Sequence, residues 1–328
     1  MNVTSSLSSI NISVSRRQIL AAMAAMIPAL VVHRTAIAAR FRNGEQTGDF
    51  AGLVDIGGRS LWIDCRGSGN PTVVLEAGSG NNGMIWDNVA LDPGVSGPAV
   101  LPGVAGFTHV CAYDRPGTVI GVDDPNDFSR SDPVPMPRTA AEMVADLHAL
   151  LTAADEPPPY VLAGHSFGGL IVRLYACTYP DEVAGLVLVD SAHEDYWAAI
   201  KALMTPEQQA IAFAHPPTLT GGFEQEWIDV DASAAQMREA AAKSPLRPMP
   251  LIVLTRGIPP EWPAGFPAAE MEAIWLPLQK ELAALVPDSR LMVAEKSSHY
   301  IQTGQPELVI ESIRQVVDAV RDPGSWAS

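Results

Sequence analysis

Short apolar runs alternate with amphipathic stretches along most of the chain. Runs rich in Val, Ile and Leu predict eight strands, at residues 51–56, 60–64, 72–76, 108–113, 160–163, 185–190, 250–255 and 290–294. Several of these runs are apolar throughout, which is typical of strands that are buried on both faces of a sheet. Gly57 and Gly58 separate the first two runs and predict a hairpin turn.

Helical patterns fill the intervals between most of the predicted strands. Thr139 and Glu142 form a capping box at the start of one helix, in which each side chain satisfies a free backbone amide. Pro306 opens the last helix, and apolar residues recur at helical spacing after it. Because strands alternate with helices, we expect a mostly parallel sheet with helices on both faces.

One long interval breaks this alternation. Residues 191–249 show helical patterns and no convincing strand, although they lie between two predicted core strands. An insertion of this length predicts a helical cap or lid. The α/β core would then comprise residues 39–190 and 250–328.

Residues 1–38 have the order of an export signal. Arg16 and Arg17 form a twin-arginine pair, the apolar stretch 19–32 follows, and small residues at 36–38 fit a peptidase cleavage site. The apolar stretch is shorter than the roughly 20 residues that a membrane-spanning helix needs. We therefore expect an exported protein, periplasmic or secreted, whose mature chain has no membrane span.

Composition narrows the classes of partner. The formal net charge is −16 and no run of basic residues follows the signal, which argues against nucleic acid as a partner. Cys65, Cys111 and Cys177 are too few for a disulfide scaffold and match no metal-binding spacing. At most one disulfide could form, and the favoured interpretation is three separate buried cysteines.

Residues 164–168 read Gly-His-Ser-Phe-Gly, which fits the pattern G-x-S-x-G. A buried-strand pattern comes directly before it and a helical pattern directly after it, which is the strand–turn–helix setting that this motif needs. The glycines are expected because larger side chains would crowd the sharp turn. Ser166 is therefore the candidate nucleophile, and it requires a base to take its proton.

His299 is the candidate base among the seven histidines of the chain. The chain order in sites of this kind is nucleophile, acid, histidine, and His299 lies in a loop between the last predicted strand and the last helix. His193 and His215 fall at the start of the predicted insertion and within it. His165 is expected to point away from the site because it neighbours Ser166.

Two carboxylates are candidates for the acid that would orient His299. Asp190 ends the strand before the insertion, at the edge of the sheet where ligands bind in open α/β folds. Glu261 is the first carboxylate after the predicted strand 250–255, but two prolines precede it directly. We favour Asp190, whose alternative role is to cap the first helix of the insertion.

Backbone amides would complete a site for acyl transfer by holding an oxyanion. One donor should be the N–H of Phe167, directly after the candidate nucleophile. The other is expected from the glycine-rich loop at residues 77–83, where the N–H of Ser79 is the preferred candidate. A plain glycine-rich turn is the alternative interpretation of that loop.

These motifs together resemble the α/β-hydrolase superfamily, specifically its serine esterase or lipase-like members, over about residues 50–320. The matching segments are residues 57–59, 75–80, 113–117, 164–169, 186–190, 298–299 and 306–309. The resemblance implies an eight-stranded, mostly parallel sheet with helices on both faces and a helical cap. Three features depart from it: Ala77 stands where a histidine often precedes the oxyanion glycine, the loop after Gly117 is not a short turn, and the usual acid position lacks Asp.

The leading functional hypothesis is hydrolysis of a small, partly apolar carboxylic ester through an acyl-enzyme, without a cofactor or a metal. Hydrolysis of amides, peptides or thioesters and cofactor-free perhydrolysis are alternatives on the same residues. A non-catalytic protein that binds a ligand on the same fold is the alternative outside enzymes. Haloalkane dehalogenation is disfavoured, because that chemistry in this fold uses an aspartate nucleophile and position 166 is serine.

Overall fold

The computed structural model describes residues 41–42, 45–46, 49–89, 95 and 97–326. The predicted export signal, residues 1–38, lies outside the described residues. Two strands of two residues each, Phe41–Arg42 and Glu45–Gln46, precede the main sheet in the chain. Within the described part, no helix is both long enough and apolar enough to cross a membrane.

The described residues contribute eight strands to one sheet. In chain order, β1 to β8 are Phe50–Asp55, Ser60–Arg66, Thr72–Glu76, Val110–Tyr113, Tyr160–His165, Val183–Val189, Leu251–Arg256 and Arg290–Ala294. Across the sheet the order is β8-β7-β6-β5-β3-β4-β2-β1. β2 runs antiparallel to both of its neighbours, and the other adjacent pairs are parallel. The predicted mostly parallel, eight-stranded sheet is confirmed.

Burial along the strands follows their place in the sheet. Every residue of β3, β5 and β7 is buried, as expected for interior strands covered on both faces. At the edge, β1 ends in the predicted hairpin turn, where the Asp55 carboxylate accepts hydrogen bonds from the N–H groups of Gly57 and Gly58. Both glycines have a positive φ, 103° and 100°, which disfavours any residue with a side chain.

Helices cover both faces of the sheet. Within the described residues, α1 to α9 are Val100–Ala105, Ala140–Ala153, Phe167–Thr178, Tyr196–Leu203, Pro206–Ala212, Val230–Lys243, Ala268–Ala283, Ile301–Gly304 and Pro306–Arg321. α2 and α3 belong to one apolar cluster with the sheet, and α1 and α9 belong to another. The predicted capping box of Thr139 and Glu142 starts α2.

Residues 191–249, the inserted segment, contain α4, α5 and α6 and none of the strands of the main sheet. Met237 of α6 belongs to the apolar cluster of α2 and α3, so this part packs on the helical layer. Tyr196 and Trp197 of α4 instead line a cavity beside Ser166. The segment is therefore both a piece of the core and a piece of the wall of that cavity.

Cys65 of β2 and Cys111 of β4 face each other in the antiparallel register and form a disulfide. The interpretation of three separate buried cysteines is wrong for these two, whereas Cys177 of α3 is buried and free. The sequence does not reveal the pairing, because β2 and β4 are neighbours in the sheet but β3 separates them in the chain. Disulfides persist in oxidising compartments, which is where the predicted signal would send the chain.

Candidate active site

Ser166 lies in the tight turn between β5 and α3, with φ 53° and ψ −122°. A positive φ is uncommon for a residue other than glycine, and the surrounding structure must hold it in place. A β-carbon at Gly164 would lie 2.5 Å from the carbonyl oxygen of Gly168, and one at Gly168 would lie 2.4 Å from that of Ala77. Both glycines of the motif are therefore required by sterics, as the sequence predicts.

Ser166, His299 and Asp190 form one hydrogen-bonded chain. The Nε2 of His299 lies 3.0 Å from the Oγ of Ser166, and its Nδ1 lies 2.6 Å from the Oδ2 of Asp190. An ionised carboxylate only accepts hydrogen bonds, so Nδ1 carries the proton and Nε2 accepts from the Ser166 hydroxyl. The structure thus brings together the three side chains that the sequence favours as nucleophile, base and acid.

Asp190 directly follows β6, and its side chain is fully buried. Besides His299, the backbone N–H of Arg256 donates to its carboxylate at 3.0 Å, Nη1 of Arg256 at 2.8 Å and Nε1 of Trp275 at 2.9 Å. Burial alone would raise the pKa of Asp190, but the His299 hydrogen bond and the Arg256 charge hold that pKa below its ordinary value. The carboxylate is therefore ionised at neutral pH.

Arg256 ends β7, just before the stretch that contains Glu261, the alternative candidate acid. Its guanidinium also donates to Glu272 at 2.6 Å and lies 4.0 Å from the ring centroid of Trp275. Glu261, the alternative acid, is exposed and makes no hydrogen bond to His299 among the residues that the structure describes. The geometry therefore favours Asp190 over Glu261 as the partner of His299.

The hydrogen-bonded chain lies at the wall of a cavity of about 440 Å³. Ser79 and Phe167, which carry the candidate oxyanion donors, line this cavity beside Ser166. The first amides of a helix have no partner within it, so the Phe167 N–H at the start of α3 is available to a ligand. Aromatic side chains make up much of the remaining wall: Tyr196, Trp197, Trp262, Trp275 and Tyr300.

A larger cavity, of about 750 Å³, shares Arg256, Trp262 and Trp275 with the wall of the first. Size alone would favour it as the binding site. However, neither Ser166 nor His299 is part of its lining. The smaller cavity, which holds the reactive side chains, is therefore the candidate substrate site.

His165 contacts the site, contrary to the expectation that it points away. Its Nε2 lies 2.9 Å from the backbone oxygen of His299, and the two imidazole centroids are 4.7 Å apart. Burial, with a smaller contribution from the neighbouring His299, lowers the pKa of His165 to about 3. The neutral ring therefore donates from Nε2 and holds the His299 loop. The expectation was wrong because it rested only on the position of His165 beside Ser166 in the chain, whereas the contact of His165 is with the distant loop of His299.

The pH dependence of stability is expected to carry the signature of His165. The folded protein keeps this ring neutral down to about pH 3, whereas a histidine in the unfolded chain takes a proton near pH 6.5. The unfolded state therefore binds more protons between these values, and stability is lost as the pH falls below 6.5. At about pH 4 we expect the loss from this residue to be about 3 kcal/mol.

Urea unfolding of the wild type and of His165→Gln, at about pH 7 and about pH 4, measures this loss. The glutamine amide replaces the Nε2 donor but does not titrate. The free energy of unfolding of the variant should therefore fall by about 3 kcal/mol less than that of the wild type. Equal losses in the two proteins would show that His165 is not the responsible group.

Two groups of metal-ligating side chains lie away from Ser166 within the described residues. The first is buried, and its sulfurs are joined in the disulfide: Cys65, Cys111, His109 and Glu156. The second has exposed carboxylates: His193, Asp195 and Glu281. Neither group includes a residue that lines the candidate substrate cavity, so neither is assigned to the site.

Comparison with known proteins agrees with this fold. A sequence model described as "Alpha/beta hydrolase family" matches residues 73–312. The uncharacterized protein YqjL of Bacillus subtilis is 29% identical over 251 residues, which cover 76% of this chain and 85% of YqjL. Lipase LipV of Mycobacterium tuberculosis is 34% identical over 159 residues, which cover 45% of this chain and 59% of LipV.

Among solved structures, a thermophilic esterase from Thermogutta terrifontis is similar over 84% of this chain and 99% of its own. The TM-score is 0.52 and the sequence identity is 21%, so this likeness shows the fold. The match to the family sequence model extends from β3 into α9 and spans well over half of the chain. The chain therefore belongs to the α/β-hydrolase family.

Proposed function

We propose that this hydrolase cleaves carboxylic esters through an acyl-enzyme. The observation that carries the proposal is the hydrogen-bonded chain from Asp190 through His299 to Ser166 at the wall of an aromatic cavity. A serine hydroxyl is a weak nucleophile until a base takes its proton. The 3.0 Å distance from the Nε2 of His299 to the Oγ of Ser166 supports His299 as that base. The likeness to LipV, which is named a lipase, supports the same class of reaction.

In the acylation half-reaction, the Oγ of Ser166 attacks the ester carbonyl carbon while the Nε2 of His299 takes the hydroxyl proton. Negative charge develops on the carbonyl oxygen, to which the N–H groups of Ser79 and Phe167 would donate hydrogen bonds. Asp190 holds the imidazole ring in its tautomer and stabilises the imidazolium. When the tetrahedral intermediate collapses, His299 gives its proton to the departing alkoxide and the alcohol leaves.

Deacylation repeats these steps with water as the nucleophile. His299 takes a proton from the water as its oxygen attacks the acyl carbon, and the oxyanion again lies between the two amides. The bond from the acyl carbon to Oγ then breaks, and His299 returns the proton to Ser166. The carboxylic acid leaves, and the Ser166 hydroxyl and the neutral His299 are restored for the next turnover.

The cavity favours a small ester with an apolar part. Its aromatic wall and its volume of about 440 Å³ fit a short acyl or aryl group better than a long lipid chain. The Arg256 cation beside it is already paired with Asp190 and Glu272 and offers no free charge to an anionic substrate. We therefore propose an uncharged, partly apolar ester as the substrate class.

An ester panel tests this proposal. The purified protein is expected to hydrolyse p-nitrophenyl butyrate with a kcat/KM at least about tenfold above that for p-nitrophenyl palmitate, because the longer chain exceeds the cavity. Release of p-nitrophenolate measures both rates, and butyryl p-nitroanilide measures the preference for esters over amides. A folded protein that turns over no ester of the panel would favour the ligand-binding alternative instead.

A further inference from the structure

Buried side chains fasten the loop after β3, which brings Ser79 to the substrate cavity. Within the loop, the N–H of Asn81 donates to the carbonyl oxygen of Gly78 at 3.1 Å. Arg115, two residues beyond β4, is 2% exposed. Its Nη1 donates to the carbonyl oxygen of Ala77 at 2.8 Å, and its Nη2 donates to that of Gly78 at 2.7 Å. Two consecutive carbonyls of the loop are therefore turned toward the same guanidinium.

This fastening sets the direction of the Ser79 amide. In a trans peptide unit the C=O and N–H bonds point to opposite sides, and the bond from Gly78 to Ser79 is not among the cis peptides. Because the Gly78 carbonyl points to Arg115, the Ser79 N–H points away from it. Among the described residues no acceptor is found for this N–H, and Ser79 lines the cavity beside Ser166.

Glu226, from the inserted segment, completes the arrangement. Its buried carboxylate accepts from Nε of Arg115 at 2.7 Å and from Nη2 at 2.9 Å. The same carboxylate accepts from the backbone N–H of Gly80 at 2.7 Å, so it also holds the middle of the loop. Nη1 of Arg115 also donates to Glu76, and all five N–H donors of the guanidinium are then used.

We propose that Arg115 and Glu226 are positioning residues that preset the oxyanion-binding amide of Ser79, with the inserted segment supplying the second of them. Neither side chain lines the substrate cavity. They act by fixing the peptide plane in advance, so that the donor needs no reorganisation when charge develops on the substrate oxygen. This inference rests on the proposed acyl-enzyme function. It gives a role to the buried ion pair between Arg115, which follows β4, and Glu226 of the inserted segment.

Conservative variants at the two positions test the proposal. Arg115→Lys keeps the positive charge but cannot span both carbonyls and Glu226. Glu226→Gln keeps only one acceptor oxygen in the side chain, whereas Arg115 and the Gly80 N–H use both oxygens of the carboxylate. For each variant we expect kcat on p-nitrophenyl butyrate to fall about 10- to 100-fold, while KM changes less than about threefold, because the donor acts mainly in the transition state.

Affinity for 1,1,1-trifluorohexan-2-one provides a readout that a merely structural role would not move. The Oγ of Ser166 adds to this ketone and its proton passes to His299, so the adduct places an oxyanion where the Ser79 amide is proposed to donate. Its inhibition constant should rise by about the same factor by which kcat falls. Thermal unfolding and circular dichroism of each variant show whether it is folded in the assay.

Asp146→Asn is the matched control. Asp146 lies in α2 and pairs with Arg59 and, at 2.7 Å, with Arg138, so the change weakens partly buried ion pairs that do not touch the loop. This variant should keep kcat and ketone affinity within about threefold of the wild type. Suppose that Arg115→Lys and Glu226→Gln are folded and also keep kcat and ketone affinity within about threefold of the wild type, while Ser166→Ala is inactive. The positioning role is then wrong and the proposed function stands. If Ser166→Ala retains turnover, the proposed function itself fails.

Discussion

Ser166→Ala is expected to lower kcat for ester hydrolysis by about four to six orders of magnitude in a protein that stays folded. The change removes the only atom of the site that would form the bond to the acyl group. Catalysis by the two amides and by binding would remain and would set the residual rate. Folding should be retained, because alanine meets the same backbone strain at φ 53° as serine does.

Turnover of p-nitrophenyl butyrate measures this loss, with Ser312→Ala as the matched control. Ser312 is a buried serine of α9 whose hydroxyl donates to the carbonyl oxygen of Leu308 at 2.8 Å. Its replacement should leave kcat within about twofold of the wild type. Near-full activity of Ser166→Ala would remove Ser166 from the mechanism, whatever the fold.

Asp190→Asn is expected to lower kcat by up to about four orders of magnitude, whereas Glu261→Gln should change it little. The asparagine is nearly isosteric but has no charge to stabilise the imidazolium, and its amide favours the wrong tautomer of His299. Glu261 is exposed and shares no hydrogen bond with His299 in the described structure. Steady-state kinetics of the two variants, side by side, make the comparison.

Stability must be measured together with these rates. Asp190→Asn also removes one of the two carboxylates that pair with the buried Arg256, so that Glu272 is the remaining partner of the two. Breaking a buried ion pair in this way costs about 3–5 kcal/mol, so part of the protein could unfold at the assay temperature. Rates are therefore compared per folded molecule. If Glu261→Gln lost activity while Asp190→Asn stayed active, the acid would be Glu261, which follows β7.

Local patterns made the centre of the site predictable. The strand, the tight turn and the helix around Ser166 are contiguous in the chain, and the steric need for Gly164 follows from that turn alone. Gly168 is instead required by the close approach of the Glu76 and Ala77 carbonyl oxygens, which the local pattern does not show. Chain order then singled out His299, which contacts Ser166 although 133 residues separate them. Both inferences depend on the order of elements and not on the details of side-chain packing.

Contacts between distant segments were not predictable in the same way. Arg256 reaches Asp190 because β6 and β7 are adjacent, and Glu226 reaches Arg115 from the inserted segment, 111 residues away. A buried arginine or glutamate has no local pattern that distinguishes it from a solvated one. The sheet order and the path of the insertion had to be known first. The disulfide of Cys65 and Cys111 was missed for the same reason.

The central claim is that Ser166 is the nucleophile, and covalent labelling with a fluorophosphonate tests it most directly. The reagent phosphonylates a serine that an adjacent base activates, with loss of fluoride. We predict a single adduct on the peptide that contains Ser166, found by mass spectrometry after digestion, and no adduct in Ser166→Ala. An adduct on another serine, or no adduct on protein that hydrolyses p-nitrophenyl butyrate, would contradict the account.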